Sequence, residues 1–115
     1  MGGRVVSSAT FENVKESIRS GAVHVSAHAL DEAVADDLLL QDIEVATLAA
    51  ECIEDYPDDR RGPSCLVRCE IRASAVHALW GFDGPRARAI LITVYRPDPE
   101  RWDNDFRTRR RGSAG

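Results

Sequence analysis

The chain has 115 residues, 43% of them hydrophobic and 30% charged, with a formal net charge of −4 and a pI near 5.3. That length implies one domain with a core of its own, here expected over residues 10–108 between loose termini. The acidic balance argues against phosphate binding by the surface as a whole. No apolar run approaches the ~18 residues of a membrane span, and the first ten residues lack the apolar stretch of a secretory leader, so a cytoplasmic location is the expectation.

Thr10 opens a helical pattern in which Phe11, Val14 and Ile18 share a face, with Thr10 as the expected cap and Gly21 as the stop. Ala22 to Ser26 is read as a short strand. Ser26 then caps a helix over residues 27–38 whose apolar stripe is Leu30, Ala33, Val34 and Leu38. Asp42 is expected to cap a third helix over residues 43–55, apolar around a wide arc and therefore buried. Beyond it the chain is punctuated by two Pro/Asp-rich turns, 56–65 and 94–107, which bracket a block of strands. Cys65, Val67, Cys69 and Ile71 alternate with Leu66, Arg68 and Glu70, the period of a half-buried strand. Residues 75–81 and 89–95 form two more, joined through Asp83-Gly84-Pro85. The last is the most apolar and is expected to be central. The fold class predicted is α+β, with N-terminal helices packed on one face of a small antiparallel sheet, a meander of three or four strands.

The three cysteines are too few and too odd in number for a disulfide framework. Cys65 and Cys69 fall on one strand face and are read as small core residues. His24 and His28 are separated by a strand–helix boundary, so helical metal-ligand geometry does not apply and no metal or other cofactor is expected. Charge is uneven: acids gather between Asp31 and Asp59, and bases in Arg86, Arg88, Arg96, Arg101, Arg107 and the run Arg109-Arg110-Arg111.

Several motifs occur together in order: Ser26-Ala27-His28-Ala29-Leu30, Tyr56-Pro57-Asp58-Asp59, Gly62-Pro63-Ser64-Cys65-Leu66-Val67, Val76-His77-Ala78-Leu79 and Thr93-Val94-Tyr95-Arg96-Pro97-Asp98, followed by Trp102 and Phe106. From about Phe11 to Arg109 the chain thereby resembles the bacterial domain-of-unknown-function family 4258. By fold analogy, that resemblance implies a compact ribonuclease-type fold of the barnase, colicin and RelE kind, some members looking like toxins of toxin–antitoxin pairs. One departure counts against inherited phosphate chemistry. Relatives carry Arg four and nine residues beyond the motif histidine, where this chain has Glu32 and Asp37.

The candidate site residues are His28, His77, Tyr95 and Arg96. His28 lies just past a helix cap, where the helix dipole favours a neutral imidazole or a bound anion. His77 is either a satisfied sheet histidine or the second half of an acid/base pair with His28. Arg96 either holds a phosphate or pairs with Asp59 or Asp98, and Tyr95 either donates a hydrogen bond or closes the core. Trp102 and Phe106 are expected to pin the C-terminal segment over the sheet, and the basic tail is a solvated end or a binder of an acidic partner or RNA. Two functions follow as expectations: a binding or regulatory module that docks a partner, antitoxin-like or a second copy, and a toxin-like, metal-independent ribonuclease.

Overall fold

The computed structural model describes residues 6–110. Its elements run α1 (Ala9–Ser20), β1 (Val23–Val25), α2 (Ala27–Ala35), α3 (Leu40–Leu48), β2 (Glu51–Tyr56), β3 (Ser64–Ile71), β4 (Ser74–Asp83) and β5 (Arg88–Tyr95). The α+β class holds, but the sheet differs from the expected meander. It has five strands in the order β1-β5-β4-β3-β2, and β1 runs parallel to β5 while the other pairs are antiparallel. A parallel partner is not adjacent in sequence, so neither the turn signals nor the period of Val23–Val25 could disclose it. Among the described residues no helix is long and apolar enough to cross a membrane.

The expected helix over 43–55 is two elements. It ends at Leu48, and Glu51–Tyr56 is the edge strand β2. Its apolar arc was wide because Cys52 joins the helix-side core while Ile53 joins a second cluster with Leu66 and Trp102. Adjacent strand residues facing opposite sides mimic a helix that is apolar all round.

Local chemistry fixes the helix ends. Ser8, not Thr10, caps α1: its hydroxyl accepts from the Phe11 amide at 3.0 Å and donates to Asp55 at 2.6 Å. Residues 6–8, expected to be loose, are thus tied to β2, and the Val6 amide also donates to the Cys52 carbonyl. Gly21 ends α1 at φ 80°, the left-handed conformation that glycine adopts without a steric cost. Ser26 caps α2 as expected, accepting from the Ala29 amide at 3.0 Å while donating to the Ile92 carbonyl at 3.0 Å. Leu39 precedes α3 with no side-chain cap, and Asp42 sits instead in the first turn, where a carboxylate suits the helix dipole.

Buried residues of all three helices (Phe11, Val14 and Ile18; Ala29 and Ala33; Ile43) form one cluster with Cys65, Val67, Val76, Ala78, Trp80, Leu91 and Val94. On the opposite, outer side of the sheet, Ile53 and Leu66 are covered by Trp102, with Leu79 and Phe106 beside them. Cys65 and Cys69 belong to the helix-side core, and burial pushes the Cys69 thiol up to about 11.

Candidate functional site

The four sequence candidates fall into separate networks. His77 lies mid-β4 and is fully buried at 0% exposure. Its Nε2 is 2.7 Å from the Phe106 carbonyl, which can only accept, so Nε2 carries the proton and Nδ1 accepts from the Tyr95 hydroxyl at 3.2 Å. The ring also stands edge-on to Trp102 at 4.4 Å and to Tyr95 at 5.3 Å. Burial drives the histidine pKa below 6.5. This side chain is a neutral clamp that ties the C-terminal segment to the outer face.

His28 stands elsewhere, on α2, with its side chain 69% exposed and Nε2 3.3 Å from Glu32. No hydrogen bond or ring contact among the described residues links it to His77. Glu32 reaches past His28 to β5, where one carboxylate oxygen accepts from the Thr93 hydroxyl and, at 3.0 Å, from the Val94 amide. β1 pairs with β5 only as far as Leu91, so Val94 would otherwise present an unpaired edge amide. Glu32 therefore closes a sheet edge. Glu32→Ala is expected to cost about 1–2 kcal/mol, since it orphans that amide and frees the hydroxyl. A denaturant midpoint that does not move would count against this role.

Arg96 pairs with neither Asp59 nor Asp98. Its guanidinium donates to the Asp36 carbonyl at 3.1 Å, and Arg72 donates to the Asp37 carbonyl at 2.8 Å. Two cations thus cap the C-terminal end of α2, the negative end of its dipole. Tyr95, Arg96, Asp98, Arg101, Trp102 and Arg109 line a basin of about 350 Å³. Its arginines are engaged: Arg109 pairs with Glu54 at 2.8 Å and stacks 4.6 Å over Trp102, while Arg101 lies 3.9 Å from Asp98. Arg107 likewise binds Glu51. The expected basic tail is therefore largely folded back as ion pairs, with Arg111 outside the described residues.

A further concavity lies away from these four residues. The C-terminal segment roofs only one end of the outer sheet face. The other end is a trough of about 530 Å³, floored by Leu79, Gly81, Ile90 and Ile92 and rimmed by Asp59, Arg61, Asp83 and Arg86. Gly81 is what opens it. A Cβ there would come within 3.0 Å of the Ile92 Cδ1 atom, so the missing side chain lets Ile92 lie across the floor. The β4–β5 register shifts between Leu79 and Trp80. A bulge there bends the strand and re-aims Ile92. On the rim, Asp83 is held by Arg86 at 3.2 Å and Arg88 at 3.3 Å, which keeps its carboxyl below the usual range despite some desolvation. The lining draws on three separated stretches of chain, residues 59–64, 79–86 and 90–92, so no local motif could have announced it.

A concave, mostly apolar pocket with a few charged groups at its rim is the usual form of a ligand-binding site. The fold and site therefore describe an α+β domain with helices against one side of its sheet and a half-open cleft on the other. The chain belongs to the family described as Domain of unknown function (DUF4258), whose model matches residues 25–96. The matched segment runs from the last residue of β1 through β5 to Arg96, and so contains His28, His77, Tyr95 and the trough floor. Comparison with curated proteins and with solved structures found no match to either.

Proposed function

We propose that this domain is a non-catalytic binding module that takes apolar side chains of a polypeptide partner into the trough. The observation that supports it is the uncovered apolar floor of Leu79, Ile90 and Ile92, beside an equivalent surface that the chain covers with its own Trp102. The size, about 530 Å³, suits one or two large side chains.

Random peptides selected on the immobilised protein should converge on apolar residues flanked by charge. Gly81→Leu fills the trough from beneath and should weaken the selected peptides about ten- to a hundredfold, the value of one buried large aliphatic side chain. Peptides that bind Gly81→Leu as well as the parent would remove the trough from the binding reading.

The ribonuclease alternative has one observation in its favour, the solvent-exposed His28–Glu32 pair. A second acid/base group at His77 would first have to release both Phe106 and Tyr95. RNA degradation in EDTA that disappears in His28→Ala would replace the binding reading with that one.

A further inference from the structure

Cys52 and Cys65 belong neither to the trough nor to the C-terminal clamp. Both are free thiols buried in the helix-side core, at 1% and 0% exposure. They lie on neighbouring strands. Cys52 on β2 stands opposite Val67, and Cys65 on β3 stands opposite Asp55, so the two are diagonal neighbours on one sheet face. Cys69 is the other diagonal neighbour of Cys52. A regular ladder holds such pairs about 7–8 Å apart, beyond the usual span of a disulfide. This ladder is not regular, because its register shifts between Cys52 and Glu54. A bulge increases the local twist, which draws one diagonal in and lets the other out. The diagonal drawn in is Cys52 to Cys65, whose thiols are hydrogen-bonded to one another. The Cys69 thiol turns away and donates to the Val76 carbonyl at 3.6 Å.

The surroundings divide the labour between the two sulfurs. The Cys65 thiol donates toward the Cys52 sulfur, which favours the thiolate at Cys52, while that same bond and burial leave Cys65 holding its proton. The cover over the pair is short. The Ser8 hydroxyl stands against both sulfurs. Its segment is held to β2 by the Val6 amide on the Cys52 carbonyl at 2.9 Å and by Ser8 on Asp55 at 2.6 Å. β2 is an edge strand, so lifting residues 6–8 admits a small oxidant without parting the sheet.

We infer that Cys52 and Cys65 form an oxidation site, at which a peroxide joins their sulfurs in a disulfide that staples β2 to β3. The Cys52 thiolate attacks one peroxide oxygen: an S–O bond forms, the O–O bond breaks and hydroxide leaves. The Cys65 sulfur then attacks the Cys52 sulfur, gives up its proton and expels the second hydroxide. The two thiol protons turn both hydroxides into water. Two thiols are oxidised by two electrons, and the peroxide is reduced. The staple bears on the C-terminal segment as well, since Glu51 and Glu54 of β2 hold Arg107 and Arg109. None of this depends on what the trough binds.

Hydrogen peroxide treatment of the folded protein, then alkylation of the remaining thiols and tryptic mapping, tests this. Cys52, Cys65 and Cys69 fall in separate tryptic peptides, 20–60, 62–68 and 69–72. The first two should appear joined, lighter than their sum by the two hydrogens lost, with Cys69 alone alkylated. The oxidised protein should run as a monomer on a non-reducing gel, and dithiothreitol should restore both thiols. Cys69→Ala should oxidise as the parent does, and Cys52→Ala should form no internal bond. Should Cys52→Ala fail to fold by circular dichroism, the peptide map of the parent still decides. Hydrogen exchange of the β2 amides should slow about tenfold or more on oxidation. Three free thiols after treatment would overturn the inference. So would a bond that includes Cys69, a bond between chains, or Cys52 carried to sulfinic acid with no bond formed. Unchanged β2 exchange in the bonded protein would overturn the staple.

Discussion

Replacing His77 with alanine is expected to lower stability by about 3 kcal/mol, from one lost hydrogen bond at each ring nitrogen and the cavity left beside Trp102. The loss should not be spread evenly. His77 and Trp102 fasten the segment that follows β5, so its amides should gain hydrogen exchange before the helix-side core does. Emission from Trp102 should shift to the red as the ring meets water. The same site sets a pH dependence whose sign can be worked out. Burial holds the folded His77 pKa below 6.5, the ordinary value that the unfolded chain regains. The unfolded state therefore binds more protons between the two values, and stability rises with pH across that window. The contribution is complete above about 6.5 and is lost as pH falls toward the folded pKa. Glutamine at 77 can still donate to the Phe106 carbonyl but cannot titrate, so His77→Gln should flatten the slope while keeping part of the stability. A slope unchanged in His77→Gln would assign it to other groups. Among the charges that bear on the ring, Arg68 and Arg109 push its pKa down and Glu54 pushes it up.

Local signals were legible at two places where a single side chain settles a backbone conformation. Gly21 and Ser26 end and begin helices because a left-handed residue and a hydroxyl acceptor are needed at those places, and both were identifiable in sequence. The alternation over Cys65 to Ile71 was equally clear, because one strand face is buried under the helices. Failures came where the same pattern has two physical causes. Cys52 and Ile53 are both apolar since β2 is buried on both sides, and that resembles a wide helical face. Capping by Arg72 and Arg96 was invisible for another reason: each guanidinium reaches α2 from a distant turn or strand end, and an arginine after a strand carries no mark of its target. The candidate site divides in the same way. His77 and Tyr95 could be singled out, and they do meet across β4 and β5, where they are cross-strand partners. The trough was hidden because it depends on an absence, the side chain missing at Gly81, and on a register shift that only pairing creates.

Trp80→Ala should be the most damaging single change in the sheet. The indole is fully buried among the helix-side core residues, opposite Cys65 on β3 and Leu91 on β5. Its N–H donates to the Thr47 hydroxyl at 3.1 Å, and that hydroxyl donates in turn to the Ile43 carbonyl at 2.7 Å. This relay is what attaches α3 to the middle of β4. Truncation to alanine should cost about 4–5 kcal/mol, a large share of the roughly 5–15 kcal/mol available to a domain of this kind. Much of the protein would then sit near its unfolding transition at body temperature. Trp80→Phe gives a cleaner measurement, because it keeps the aromatic bulk and deletes the donor, for about 2 kcal/mol. Thr47→Val deletes the acceptor and strands the indole N–H in an apolar core, for a cost of about 1–3 kcal/mol. If the relay is one unit, the double variant should cost less than the two singles together, by about 1 kcal/mol in a denaturant cycle. Strict additivity would mean that each group finds another partner when the first is removed. The consequence reaches the other side of the sheet, since Gly81 follows Trp80 directly and opposes Ile90. Trp80→Phe should then weaken trough ligands even where the fold survives.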